Sequence, residues 1–148
     1  MKTRYRGTQE EVRALDTYIK LMRAAELVTT RIHRHLTAVN LTISQFGVLE
    51  ALFHLGSLSQ RDLAEKLLKS GGNMTMVIDN LEKRQLVKRE RSVEDRRFVS
   101  VCLTEEGRQL ISKIFPQHVA AVVEEISILT ESEQEELGCL CRQLGKKD

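Results

Sequence analysis

The chain has no tryptophan, two tyrosines, four phenylalanines and a single proline among its 148 residues. A core with so few aromatic side chains has to be filled by aliphatic ones. One proline and eight glycines, in a chain rich in Leu, Glu, Lys and Arg, favour helix over sheet. A hydrophobic fraction of 41% at this length supports one core but not two independent ones. We therefore expect a single, mainly helical domain over residues 1–148.

Long apolar runs are also missing, and cysteines are few. No stretch approaches the roughly 20 residues that a membrane-spanning helix needs, and the opening Met-Lys-Thr-Arg lacks the apolar part of a signal peptide. The three cysteines, Cys102, Cys139 and Cys141, are an odd number. In a reducing compartment this indicates small buried thiols without disulfides. We expect a cytoplasmic protein with no membrane partner.

The sequence contains no recognisable catalytic or metal-binding motif. G-x-S-x-G, H-E-x-x-H and a glycine-rich phosphate loop are all absent. His33 and His35 lie two residues apart in a predicted helix, so their side chains point about 200° apart and cannot chelate one metal together. His54 and His118 have no ligand-like neighbours in the sequence. These observations predict a protein that is not an enzyme and that needs neither metal nor cofactor.

Charge is distributed unevenly, although the net charge is only +2. Residues 83–97 contain seven basic and three acidic side chains, whereas residues 104–148 contain five basic and nine acidic ones. A basic block followed by an acidic helical segment is typical of a protein with one face that meets a polyanion. A mixture of solvated charges gives the same counts, so charge alone leaves both interpretations open.

Apolar residues at helical spacing predict six helices, of which the first is long, from about Gln9 to Leu36. The other five start at residues typical of N-caps: Thr42, Ser59, Ser70, Thr104 and Thr130. Two strands, LVKRER and FVSVCL, lie between the fourth and fifth helices, with SVEDR as their turn. The third and fourth helices, joined by a short turn with glycine, are typical of a helix-turn-helix unit.

The fourth predicted helix, from Ser70 to Lys83, has an outward face suited to the major groove of DNA. The face opposite its apolar side is small or hydrogen-bonding near its start and basic further along. It consists of Gly72, Met76, Asp79 and Lys83, and it is flanked by Asn73, Thr75 and Asn80. Base edges are reached from the start of a recognition helix. Gly71 and Gly72 cost about 1 kcal/mol each relative to alanine, which a merely polar face does not explain. Asp79 does not suit a phosphate contact, so we expect it to orient a neighbour or accept from a cytosine amine.

The turn between the two strands carries Arg96 and Arg97. A two-stranded wing beside a recognition helix reaches the adjacent minor groove, which is narrow and negative in A/T-rich DNA and attracts arginine. Asp95 is placed to pair with Arg97 and to order its side chain before insertion. The alternative is an exposed turn with a surface ion pair of little energetic value.

The chain resembles the MarR family of winged helix-turn-helix regulators over nearly its whole length, through SQFGVLEAL, LSQRDLAEKL, GNMTMVIDNLEKRQLVKR and DRRFVSVCLTEEG. The most specific part is D-x-R followed by alternating apolar residues and L-T-x-x-G. The resemblance implies a winged DNA-binding lobe over residues 41–104 and dimerisation helices over residues 1–40 and 105–148. It identifies Asp95 and Arg97 as the wing pair. Gln85 is a departure, because many members have glycine at the end of that helix.

The resemblance also implies a homodimer whose two recognition helices enter successive major grooves of a pseudo-palindromic operator. Two segments, GGNMTMVIDNLEK and KIFPQH, are most similar to a branch of the family that senses quinones and catechols. The expected partners are therefore double-stranded DNA of the nucleoid, a second copy of the chain and a small-molecule effector.

We interpret the chain as a sequence-specific DNA-binding regulator, a repressor released by a small, phenolic or quinone-type ligand. The expected DNA-contacting residues are Ser59, Gln60, Arg61, Ser70, Gly72, Asn73, Thr75, Met76, Lys83, Asp95, Arg96 and Arg97. A ligand bound between the dimerisation helices and the winged lobe is expected to contact Met22, His33, Phe46 and Phe115. Two alternatives stay open. One is a redox switch through Cys139 or Cys141, and the other is a protein-binding adaptor without ligand response.

Overall fold

A computed structural model of the chain describes residues 1–146. The helices are α1 (Gln9–Ile32), a 3₁₀ helix (His33–Val39), α2 (Ile43–Leu55), α3 (Gln60–Lys66), α4 (Gly71–Lys83), α5 (Glu105–Ile126) and α6 (Glu131–Gly145), and the strands are β1 (Leu58–Ser59), β2 (Val87–Arg91) and β3 (Val99–Leu103). This confirms the predicted mainly helical winged helix-turn-helix. The long first helix changes to 3₁₀ geometry at His33, earlier than predicted. Residues 147 and 148 of the predicted C-terminal dimerisation segment lie outside the described residues.

Local sequence fixes where the helices begin. Each predicted capping residue accepts a hydrogen bond from the backbone N–H three residues further along, as in Ser70 Oγ with Asn73 N at 3.2 Å. These bonds satisfy N–H groups that have no partner inside the helix. α1 begins in the same way at Thr8, which was not among the predicted caps and whose hydroxyl and backbone exchange hydrogen bonds with Glu11.

The chain divides into two compact units, at residues 34/35 and 119/120. The expected single domain had its lobe boundaries at 40/41 and 104/105 instead. The first unit contains α1, the end of α5, and α6. Within it Arg31 Nε donates to Glu125 Oε1 at 2.7 Å. Among residues 1–146 no single helix is long and apolar enough to cross a membrane, and only the bent pair over residues 9–39 and 43–55 meets the length and composition criteria together.

The second unit, residues 35–119, has an aliphatic core, as the composition predicts. Phe46 is its one fully buried aromatic residue in the described part of the chain, and the other large, fully buried side chains are aliphatic or methionine: Leu49, Leu52, Leu63, Met74, Ile78, Leu81 and Ile111. Full burial of one such side chain contributes about 1.5–3 kcal/mol. The core therefore holds α2, α3 and α4 against the sheet and positions the outer face of α4.

The sheet has three antiparallel strands in the order β1-β3-β2. Val87 pairs with Leu103 at one end of the predicted hairpin and Arg91 with Val99 at the other. β1 was not predicted, because two residues are too short for an alternating pattern. Its Leu58 pairs with Val101 of β3. Since β1 leads directly into α3, this pairing joins the wing to the helix-turn-helix.

Gln85, which follows α4, has a backbone φ of 59° in the left-handed region. That conformation costs a residue with a Cβ about 1–2 kcal/mol, whereas glycine adopts it readily. We expect Gln85→Gly to raise the free energy of unfolding by about 0.5–1 kcal/mol, measured by chemical denaturation. In the control Gln109→Gly, in the regular helix α5, the same change should lower it by about 1 kcal/mol. Equal destabilisation by both variants would contradict the strain at Gln85.

Candidate nucleic-acid interface

The outer face of α4 is exposed and polar at its N-terminal end. Gly72, Asn73 and Lys83 are exposed, and Met76 is 58% exposed although its side chain is apolar. A Cβ added at Gly71 or Gly72 would have no atom within 4 Å. Packing within the protein therefore does not require glycine at the start of this helix.

We expect Gly72→Ala to have opposite effects on stability and on DNA binding. Alanine in the first turn should raise the free energy of unfolding by about 0.5–1 kcal/mol, because glycine loses more conformational freedom on folding. A methyl group on the face that approaches DNA should weaken operator binding by about 1 kcal/mol or more. Thermal denaturation and an anisotropy titration measure the two effects. Unchanged operator affinity would show that α4 does not approach DNA at this residue.

Two of the predicted contact residues bind each other across the turn. Gln60 Nε2 of α3 donates to Thr75 Oγ1 of α4 at 2.5 Å, and Thr75 Oγ1 donates to Gly71 O at 3.0 Å. Ser59 and Ser70 use their hydroxyl oxygens as helix caps. In this part of the site the predicted polar side chains therefore connect α3 with α4 and cap the N-termini of both helices.

The wing turn holds Arg97 outward through Asp95. The carboxylate of Asp95 accepts from Arg97 Nε at 3.1 Å, from Arg97 Nη2 at 2.9 Å and from the backbone N–H of Arg97 at 3.0 Å. These hydrogen bonds lower the pKa of Asp95 below its ordinary value. The Arg97 side chain is still 89% exposed. The predicted ion pair is therefore present, and it orders a cation that points into solvent.

Neighbouring groups order the rest of the wing turn. Arg91 Nη1 donates to the carbonyl of Arg96 at 3.0 Å, and the backbone N–H of Ser92 donates to Phe98 O at 2.9 Å. Arg61, which was also predicted to contact DNA, is exposed on α3, and it lines a cleft of about 570 Å³ together with Arg97. The two arginines therefore lie on one side of the winged unit.

Arg89 of β2 is a functional candidate outside the set of residues predicted from the sequence. Its Nη2 lies 2.7 Å from Asp79 Oδ1, and its Nη1 lies 3.1 Å from Glu82 Oε1. Asp79 was expected either to orient a neighbour or to accept from a cytosine amine, and in the structure it forms an ion pair with Arg89. Strand alternation could have revealed this residue. Arg89 lies on the same strand face as the buried Val87, so its side chain is directed towards the protein and away from solvent.

The four predicted ligand-contacting residues have different surroundings. Met22 is 49% exposed, whereas Phe46 is 1% exposed within the core of the second unit. His33 Nδ1 lies 2.8 Å from Thr29 O in the first unit. Phe115 packs against His54, with ring centroids 4.6 Å apart. Phe46 is therefore a core residue, whatever further role it has.

His118 has no ligand-like neighbour in the sequence, but the fold brings His35 close to it. Its Nδ1 lies 3.4 Å from His35 Nε2, and its ring centroid is 4.6 Å from that of Phe46. These contacts bridge residues far apart in sequence, so spacing could not reveal them. Over residues 1–146 no group of three or more His, Cys, Asp or Glu side chains is arranged to hold a metal ion.

The expectation of three buried thiols was wrong. Cys139 and Cys141 are exposed, and Cys102 is half-buried. None of the residues of α6 is buried within the single chain. Burial and the neighbouring Glu90 raise the pKa of the Cys102 thiol, which disfavours the reactive thiolate at neutral pH.

Comparison with known proteins places these features in one family. The profile of the MarR family matches residues 41–99. The HTH-type transcriptional regulator MhqR of Bacillus subtilis is 34% identical over 135 residues, which cover 91% of this chain and 90% of that protein. The crystal structure of Sco3205, a MarR family transcriptional regulator from Streptomyces coelicolor in complex with DNA, has a TM-score of 0.84 and 25% identity, and the match covers 96% of this chain and 90% of Sco3205. NadR in complex with 4-hydroxyphenylacetate has a TM-score of 0.75 and 26% identity, with both chains fully covered.

Proposed function

The chain belongs to the MarR family of DNA-binding transcriptional regulators, which are not enzymes, and on that premise we propose that it is a repressor. The proposed repressor binds a pseudo-palindromic operator as a homodimer and leaves it when a small phenolic or quinone-type molecule binds. The observation that carries this proposal is the exposed Arg97, held by Asp95 on the same compact unit as the exposed face of α4. Two features that suit two grooves of DNA thus lie on one compact unit.

We propose that residues at the start of α4 read base edges and that basic residues near them contact phosphates. Asn73 suits an adenine edge, and Met76 suits a thymine methyl group. Lys83 and Arg61 suit phosphates, which fix the register of the protein on DNA. Arg97 suits the minor groove, with Arg96 beside it. Ser59, Gln60, Ser70 and Thr75 contribute mainly by holding α3 and α4.

The proposed homodimer is supported by the apolar side chains that the first unit leaves exposed. Leu27 of α1 is 48% exposed, and Leu140 and Leu144 of α6 are 51% and 61% exposed. Apolar surface of this kind on terminal helices favours burial against another protein surface. We propose that residues 1–40 and 105–148 form the interface with a second copy of the chain.

The proposed effector acts by binding more tightly to a form of the dimer that no longer fits the operator. A difference of about 2–3 kcal/mol between the two forms lowers operator affinity some 30- to 150-fold. NadR, which was solved with 4-hydroxyphenylacetate, supports a phenolic effector. Met22, His33, Phe46 and Phe115 remain the predicted contacts of the effector.

The proposal is tested by titrating the protein on the DNA upstream of its own coding region at several salt concentrations. We expect steep salt dependence and specific binding at least about 1,000-fold tighter than binding to unrelated DNA. Addition of 4-hydroxyphenylacetate or catechol at millimolar concentration then tests release. Weak binding that ignores sequence would favour a protein-binding adaptor over a regulator of this promoter.

A redox-switched regulator is the second candidate, favoured by the exposure of Cys139 and Cys141. The two side chains point about 200° apart on one helix, so an oxidised pair would have to form between subunits. Under this candidate, oxidant alone releases DNA. Retention of the oxidant response in a variant with all three cysteines changed to serine would eliminate it.

A further inference from the structure

We propose that Arg89 is a positioning residue for DNA recognition. In this role it fixes α4 against the wing strand β2 and pairs with two carboxylates on the helix that meets DNA, which lowers their net negative charge. The inference rests on the proposed function, because it takes α4 as the recognition helix. Arg89 itself is assigned no contact with bases or phosphates.

The contacts of Arg89 join one strand to one helix through two carboxylates. Its guanidinium lies 2.7 Å from Asp79 Oδ1 and 3.1 Å from Glu82 Oε1. The backbone N–H of Arg89 also donates to Glu82 Oε2 at 3.1 Å. The backbone N–H and the guanidinium of Arg89 therefore both bind side chains of α4. Together they fix the position of α4 along β2. A lysine ammonium at this place could not reproduce the planar, forked arrangement.

Gln60 extends this network to the first helix of the helix-turn-helix. Its side-chain oxygen accepts from Arg89 Nη2 at 3.5 Å, and its side-chain nitrogen donates to Thr75 at 2.5 Å. Each end of the amide thus faces a partner of the correct polarity. The wing, α3 and α4 are linked by one continuous set of polar contacts.

The side-chain exposures of Arg89, Asp79 and Glu82 show which of these charged groups lies nearest to solvent. The side chain of Arg89 is 25% exposed, whereas those of Asp79 and Glu82 are 48% and 44% exposed. The cation is thus more sheltered than the two anions that it binds. Arg89 therefore binds the two carboxylates from their less exposed side. A phosphate that approaches the outer face of α4 would reach Asp79 and Glu82 before it reached Arg89.

This arrangement has an electrostatic consequence for DNA binding. With Arg89 present, its one positive charge offsets one of the two negative charges of Asp79 and Glu82. Without it, two carboxylates would remain unbalanced on a helix that approaches phosphates, and juxtaposed like charges weaken association. We expect Arg89→Gln to lower operator affinity about 10- to 100-fold. A triple variant, Arg89→Gln with Asp79→Asn and Glu82→Gln, also lacks both carboxylates. Its operator affinity should recover at least about half of the loss seen in Arg89→Gln, measured as the logarithm of the affinity.

The rival role for Arg89 is a direct phosphate contact, and the same titrations separate the two. A phosphate contact would lower the slope of log affinity against log salt by about one in Arg89→Gln, and removing the two carboxylates would then change affinity by the same factor in the wild type and in Arg89→Gln. That pair of results would overturn the proposal. The matched control is Lys88→Gln, which removes one positive charge from the adjacent residue of β2, where Lys88 is paired with Glu90 at 2.7 Å. We expect it to change affinity less than about threefold.

A measurement without DNA tests the positioning role independently of the proposed function. Hydrogen–deuterium exchange of the α4 amides should be faster in Arg89→Gln than in the wild type, with α2 unchanged. Unchanged exchange in α4 would overturn the proposal even if the variant bound DNA weakly. A wild-type protein without specific DNA binding would instead refute the proposed function, while faster exchange in α4 would still assign Arg89 the role of holding this helix.

Discussion

Replacing Arg97 with alanine lowers operator affinity by about 1–3 kcal/mol and leaves dimerisation intact. The guanidinium is 89% exposed, yet three hydrogen bonds from Arg97 to the Asp95 carboxylate order the side chain and its backbone. An ordered side chain loses less conformational entropy when it enters a groove. Fluorescence anisotropy on an operator fragment measures the affinity, and sedimentation velocity measures the oligomeric state.

The matched control for Arg97→Ala is Arg108→Ala, which removes an exposed arginine from α5 and should change affinity by less than about 0.5 kcal/mol. Asp95→Ala should weaken binding less than Arg97→Ala, because it removes the ordering and keeps the cation. Wild-type affinity in Arg97→Ala would exclude the wing from DNA recognition.

The charge state of Asp95 adds a pH dependence to the ordering of Arg97. Arg97 lowers the pKa of Asp95, so the carboxylate is ionised at neutral pH and the pair is fully formed. The contribution of the pair is present above the ordinary pKa of an aspartate and is lost as the pH falls through the lowered value. Between pH 6 and 8 this ion pair should therefore contribute no pH dependence to DNA binding.

Replacing Gly107 with alanine destabilises the protein by about 3 kcal/mol or more. A Cβ at this buried position would lie 1.9 Å from the carbonyl oxygen of Leu86. That carbonyl accepts from the backbone N–H of Thr104 at 3.1 Å, while the Thr104 hydroxyl donates to Gln85 O at 2.6 Å. The start of α5 is thus bonded to the segment after α4, and neither backbone can move without loss of these bonds. Chemical denaturation measures the change.

Gly71→Ala is the control, since a Cβ there would meet no atom within 4 Å. It should stabilise the protein slightly, by about 0.5–1 kcal/mol. A Gly107→Ala protein as stable as the wild type would show that α5 does not pack this closely on Leu86. The same geometry gives a physical reason for the L-T-x-x-G pattern, in which Thr104 bonds to the preceding segment and Gly107 allows the close approach.

The fold was largely predictable because its elements are encoded locally. Thr42, Ser59 and Ser70 cap helices at the predicted residues, and Gly56 ends α2 with a φ of 77°. Alternating apolar residues identified β3, whose Val101 is fully buried. The ion pair between Asp95 and Arg97 was also predictable, because its members are two residues apart.

The contacts that depend on tertiary structure were not predictable. Arg89 meets Asp79 and Gln60 only after the hairpin and the helix-turn-helix have packed together. His35 and His118 are separated by 83 residues. Residue spacing within one element carries no information about such pairs. The exposure of Cys139 was missed for a related reason, since an apolar stripe on α6 predicts burial but does not tell whether the covering surface belongs to the same chain.

The most direct test of the central claim, that α4 and the wing of one unit contact adjacent grooves of DNA, is a hydroxyl-radical footprint of the operator. We expect the wild type to protect two sets of sugars about one helical turn apart, each with flanking protection in the minor groove. Arg97→Ala should lose the flanking protection and retain the central protection at saturating protein. A footprint that is identical for both proteins, or that lacks the flanks in the wild type, would contradict the claim.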